Sequence, residues 1–150
     1  MCIRDRSSSL RQVDPGTYWI GAQARAEDGT TFAQMGTGLV RIEEGDYHVT
    51  LRMRPCVSLS GSVRGDRLPR GVGVSLFLAD GRPVPLDVSG KRMSTFVPLS
   101  ALGAFQLDCV PAGSYELRLG TRAELEAGGA LATQPLQLAA NGPVEIMIDL

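Results

Sequence analysis

One histidine, three cysteines and scattered carboxylates are what this 150-residue chain offers to acid–base, nucleophilic or metal chemistry. A hydrolytic triad needs a base beside its nucleophile, and His48 is the sole imidazole, so every serine or thiol mechanism would depend on it. His48 lies between Tyr47 and Val49, on the face opposite Val49, Leu51 and Met53, where a solvated ring is the simpler reading than a general base. Residues 55–150 contain no histidine, which argues against such catalysis there. Cys56 and Cys109 are too few for a zinc site but are candidates for a disulfide in an oxidising compartment. Their strand phases disagree. Cys109 runs with Phe105 and Leu107 and should point inward, whereas Cys56 precedes Val57 and should point outward. The alternative is a buried thiol at Cys109 acting as a small apolar filler.

Three other groupings have binding chemistry, each with a plainer reading beside it. Glu43-Glu44-Gly45-Asp46 supplies oxygens that suit calcium but lacks the alternating acid spacing of a dedicated loop, and a solvated turn explains it. Arg64-Gly65-Asp66 spells an integrin-type tripeptide, yet Gly-Asp is ordinary turn chemistry. Trp19 alternates out of phase with Tyr18 and Ile20 and should stand outward, a candidate platform for a sugar or a partner protein. No Gly-rich phosphate loop is present. These residues assign no catalytic, cofactor-binding or metal-binding position, and no cofactor.

Net charge is −1, with no basic stripe for a nucleic-acid backbone. No apolar run approaches the roughly 18 residues that span a membrane. All the basic residues except Lys91 are arginine, a bias of composition more than of function. Met1 to Arg6 read as the translation of a sequencing adapter and are excluded from fold reasoning, which makes the chain a fragment.

The elements are strands throughout. Alternation marks Tyr18–Ala24, Thr31–Gln34, Gly38–Ile42 and Tyr47–Met53, then Val57–Val63, Val72–Leu78, Val84–Leu86, Met93–Val97, Gln134–Leu138 and Val144–Leu150. Around Val110-Pro111-Ala112-Gly113, two alternating strands read as a hairpin closed by a type I turn. Glu124–Gly129 has room for a short helical turn that Gly128-Gly129 would end. The pattern also repeats. Leu10, Val13, Gly16, Tyr18 and Ile20 match Leu107, Val110, Gly113, Tyr115 and Leu117 at a constant offset of 97. Val40-x-Ile42, Gly45 and Val49-x-Leu51-x-Met53 parallel Leu136-x-Leu138, Gly142 and Val144-x-Ile146-x-Ile148. A repeat of this length is a whole domain, and it fits a β-sandwich of about 100 residues. Residues 7–54 then read as the C-terminal half of one module and 55–150 as a complete one, joined through Arg52-Met53-Arg54-Pro55-Cys56 without a flexible linker. The half module lacks its first strands, so residues 7–54 should be less ordered or should lean on the second module.

Ser60-Gly61-Ser62-Val63, Leu68-Pro69-Arg70-Gly71-Val72-Gly73-Val74-Ser75-Leu76, and Gly103-Ala104-Phe105 through Val110-Pro111-Ala112-Gly113-Ser114-Tyr115 together resemble the carboxypeptidase regulatory-like domain. That family has a transthyretin-like, Ig-like fold. The chain departs from the family at Pro55-Cys56, where Pro-Gly is usual, and in the long 87–103 loop. The resemblance implies an antiparallel sandwich of about seven strands and a non-catalytic appendage of surface or secreted bacterial proteins. It therefore implies an extracytoplasmic location. The expected partners are neighbouring domains of the same polypeptide. The alternative is a carbohydrate- or peptide-binding module that uses one sheet face or the 87–103 loop.

Overall fold

The computed structural model describes residues 13–19, 22–34, 39–44, 51, 53–65, 68–88, 92–140 and 142–150, with positions 19, 22, 34, 39, 87, 88, 92 and 93 described by backbone alone. The protein is an all-β sandwich of two sheets, with one short helix among the described residues. Strand β5, Arg54–Arg64, is the axis of the first sheet. Val57, Leu59, Gly61 and Val63 alternate inward along it, as a half-buried strand requires. Strand β10, Ala104–Pro111, pairs antiparallel with one edge of β5. Strand β13, Val144–Asp149, pairs with it in parallel. At the first residues of β5 a further strand joins, β3 at Thr31–Gln34, itself paired to β2 at Ala22–Arg25.

The second sheet runs β12 (Ala132–Leu138), β11 (Gly113–Thr121), β6 (Val72–Phe77) and β9 (Val97–Pro98). Two small pairs lie outside these sheets: β1 (Gly16–Trp19) with β4 (Leu39–Ile42), and β7 (Leu86–Val88) with β8 (Arg92–Ser94). The core forms where Val57, Leu59, Phe105, Leu107 and Val110 of the first sheet meet Val74, Leu76, Tyr115, Leu117 and Leu119 of the second. Val84, Leu86 and Val97 close one flank.

Helix α1, Arg122–Glu126, follows β11 directly. Thr121 caps it by accepting from the Glu124 N–H, while the Glu124 carboxylate accepts from the Thr121 N–H, a reciprocal capping box. Leu125 anchors it, and Gly128 ends it with φ of 83°.

Several expectations from sequence are corrected. The segment around Pro111-Ala112-Gly113 is not a hairpin: β10 pairs with β5, β11 pairs with β6 and β12, and the chain crosses from one sheet to the other. The sandwich is not wholly antiparallel, because β13 lies parallel to β5. Among the described residues the expected Met93–Val97 strand is two short ones, β8 paired with β7 and β9 paired with β6. Val72–Leu78 was expected to wet one face, but Gly73, Ser75 and Phe77 are buried as well. Of the expected Tyr18–Ala24 strand, β1 pairs with β4 and β2 with β3, and neither Leu51 nor Met53 is in a strand, residues 20, 21, 45–50 and 52 lying outside the described set.

Gly61 shows how tightly the sheets meet. It sits in the inward phase, directly opposite Phe105, and the ring occupies the space a side chain would need. A Cβ at Gly61 would come 2.5 Å from Phe105 Cζ and 2.8 Å from Ile146 Cγ1. We expect Gly61→Ala to cost about 1–3 kcal/mol by overpacking. Urea unfolding checks this as a lower midpoint at unchanged slope. Adding Phe105→Leu should recover part of the loss, because the two sites share one space.

Candidate functional site

The described residues hold no cluster of three or more His, Cys, Asp or Glu side chains suited to a metal. What the fold does assemble is a structured corner where β10 becomes β11. Pro111 has no N–H, and its carbonyl accepts from the buried Tyr115 hydroxyl four residues on. The Ala112 N–H donates to the Pro55 carbonyl at 2.9 Å, and the Ala112 carbonyl accepts from Arg54 Nη1 at 3.1 Å. Pro111 and Ala112 therefore direct their backbone polar groups to β5 or to Tyr115. Gly113 permits the tyrosine to fold back, its missing Cβ lying 3.4 Å from Tyr115 Oη.

The segment around β1 carries the same device. Tyr18 donates to the Asp14 carbonyl at 2.7 Å, again four residues back, and Gly16 stands where a Cβ would touch the Tyr18 ring at 3.2 Å. The pairing repeats with it. Gly16, Thr17 and Tyr18 oppose Ile42, Arg41 and Val40, as Gly113, Ser114 and Tyr115 oppose Leu138, Gln137 and Leu136. A tyrosine hydroxyl bonded to backbone a few residues upstream at a sheet corner is a recurrent device of β-sandwiches. Sequence reasoning missed it, although the Gly-x-Tyr spacing shared at offset 97 was its signal.

A β-bulge settles the disagreement over cysteine phase. Leu107 pairs with Leu59 and Val110 with Val57, so Asp108 and Cys109 together oppose Ser58. The extra residue rotates Cys109 out of the inward phase, correcting the expectation that it points inward with Phe105 and Leu107. Val110, fully buried, takes the core position instead. Cys109 and Cys56 are both half-buried, with sulfurs within bonding reach and Cα atoms 4.8 Å apart, inside the range disulfides use.

The outer face of the second sheet is the natural place for a ligand platform, and arginines cover its aromatics. The Arg118 guanidinium lies 4.1 Å over the Phe77 ring and is paired with Glu116. Phe96 fills the space over Gly73, and Arg122 lies 4.9 Å over the Phe96 ring. These stacks bury the outward half of β6 and leave neither ring face bare on the Arg side. Of the remaining candidates, the Trp19 backbone opposes Leu39, and its side chain lies outside the described residues, as do His48, Gly45, Asp46 and Asp66. Glu43 is ion-paired with Arg41 at 3.4 Å, and both are exposed.

The corner has a pH signature. Burial pushes the Tyr115 phenol up to about 12 from its ordinary 10, with the Arg54 guanidinium opposing the shift. Because the folded value is the higher one, this group's contribution to stability is complete below the ordinary value. It is lost as pH rises toward 12, the unfolded chain giving up its phenol proton first. We expect Tyr115→Phe to lose about 1 kcal/mol at neutral pH, from the hydrogen bond to Pro111. In urea titrations above the ordinary tyrosine range, the variant should decline less steeply than the parent chain.

No protein-family profile and no curated protein matches the chain. Among solved structures it is similar to GBS52, the minor pilin of the Gram-positive pathogen Streptococcus agalactiae, at 15% identity and a TM-score of 0.45. The match covers 83% of this chain and 60% of the pilin, so the chain spans about three-fifths of that protein's length.

Proposed function

We propose that residues 55–150 are a non-catalytic structural module of the carboxypeptidase regulatory-like type. Residues 7–54 are then the C-terminal half of a preceding copy, and residues 1–6 are adapter-derived. The module is one unit of a tandem array in a larger extracytoplasmic bacterial protein. It spaces or displays neighbouring domains of the same polypeptide, without a cofactor.

The observation that carries this reading is the repeated corner. Gly16 with Gly113, Tyr18 with Tyr115 and Val40 with Leu136 occupy matching turn and core positions in matching register. The positions between them differ, with Trp19 against Glu116 and Arg41 against Gln137. Selection that keeps the core and frees the surface favours a scaffold, because a binding or catalytic function would hold outward residues in place. The arginine-covered rings over β6 support the scaffold reading above a sugar platform. An oxidising compartment is supported by the placement of Cys56 beside Cys109.

Glycan and peptide arrays probed with the whole chain test the function. We expect no specific binding at millimolar affinity or better, and such binding would replace the scaffold reading with the ligand-binding one. Alkylation under denaturing, non-reducing conditions tests the compartment. Protein exported to an oxidising space should leave Cys56 and Cys109 unlabelled, and quantitative labelling of both would contradict the cross-link.

A further inference from the structure

The two copies diverge at one internal place, and the divergence has a consequence for how modules join. Arg25-Ala26-Glu27 and Arg122-Ala123-Glu124 are the same tripeptide at the repeat offset of 97. In the second copy it opens α1, with Thr121 as cap and Leu125 as buried anchor. In the first copy the corresponding residues are Ala24, which cannot cap, and Asp28, which cannot anchor, followed by Gly29 in place of Glu126. The chain turns back instead. Gly29 takes φ of 85°, the Asp28 carboxylate accepts from the Thr30 N–H at 2.9 Å, and Ala26 donates to the Thr30 carbonyl at 2.8 Å. The result is the β2–β3 hairpin.

That hairpin is spent on the other module. Phe32 opposes Pro55 and Ala33 opposes Arg54, so β3 extends the sheet of the complete sandwich at the start of β5. The receiving end is held from its other side. The Pro55 carbonyl faces Ala112, which turns the backbone groups of Arg54 toward β3, since successive residues of a strand point to opposite edges. Arg54 also reaches the Ala112 carbonyl, and Cys56 is beside Cys109. The seat is therefore preformed by the corner of the complete module.

We infer that the Ala22–Gln34 hairpin is a clasp between successive sandwiches, that its partner is the Arg-Pro-Cys start of β5 in the following copy, and that Asp28-Gly29 encodes it where the second copy encodes a helix. The identity of the partner as a further copy rests on the tandem reading. The clasp itself is tested within this chain.

Hydrogen exchange on the whole oxidised chain reads it directly. Peptides spanning 22–34 and 53–58 should be protected. The triple variant Ala24→Thr, Asp28→Leu, Gly29→Glu imports the helix code of the second copy. It should exchange at least tenfold faster over 22–34 and measurably faster over 53–58, with 113–121 unchanged. Should the triple variant lose protection over 113–121 as well, Arg54→Pro is the second variant. It removes the amide facing Ala33, and with it the guanidinium that reaches the Ala112 carbonyl, but leaves the β11 ladders, so it should speed exchange over 22–34 with 115–121 unchanged. Exchange over 22–34 at the rate of an unprotected chain in the parent protein would overturn the clasp. So would variants that leave 22–34 protected. Neither result bears on the tandem reading, which an upstream reading frame without a further sandwich would overturn.

Discussion

A strand that leaves one sheet and enters the other must find partners for its backbone polar groups where neither ladder can supply them. The crossing from β10 to β11 meets that constraint within two residues. Pro111 removes one donor and gives its carbonyl to Tyr115, while Ala112 gives its N–H to Pro55 and its carbonyl to Arg54. The corner thereby fixes the start of β5, the strand about which the first sheet is built. It also fixes the end of β5 on which the preceding hairpin rests. The bulge at Asp108-Cys109 belongs to the same construction, because it lets β10 reach the corner with Val110 inward and Cys109 turned toward Cys56.

The segments at Gly16–Tyr18 and Gly113–Tyr115 share this construction and differ in what surrounds it. A glycine that admits the ring, a tyrosine that bonds four residues back, and the register of the next strand recur in both. A tripeptide held in common has two fates, hairpin or helix, according to whether a cap and an apolar anchor flank it. Local conformation here follows from capping and burial, and three shared residues do not decide it. That difference also separates a hairpin that pairs with β5 from a helix that follows β11.

On the outer face of the second sheet, physical chemistry favours closure over recognition. Arg118 and Arg122 lay guanidinium planes over Phe77 and Phe96, and their stems and charges cover apolar surface that a ligand would otherwise find. The inward-facing rows of both sheets are close-packed, to the point that Gly61 leaves no room for a methyl group beneath Phe105.

Much of this was legible in the chain. Alternation in Val57–Val63 and Tyr115–Leu119 follows from the two-residue period of a strand, and the offset of 97 follows from repetition of core and turn residues. Those features made the all-β sandwich readable without coordinates. The crossing at Pro111–Gly113 was not readable, because a turn sequence states that the chain bends and not which strands it then pairs with. Nor was the facing of Cys109, since one extra residue in a ladder reverses every phase beyond it and leaves no mark in composition. Local periodicity determined which residues are strand and which face is apolar. Tertiary pairing alone decided which sheet each strand joined, that Cys56 meets Cys109, and that β3 lies against the start of β5. Hydrogen-bond partners across tens of residues are chosen by the assembled fold.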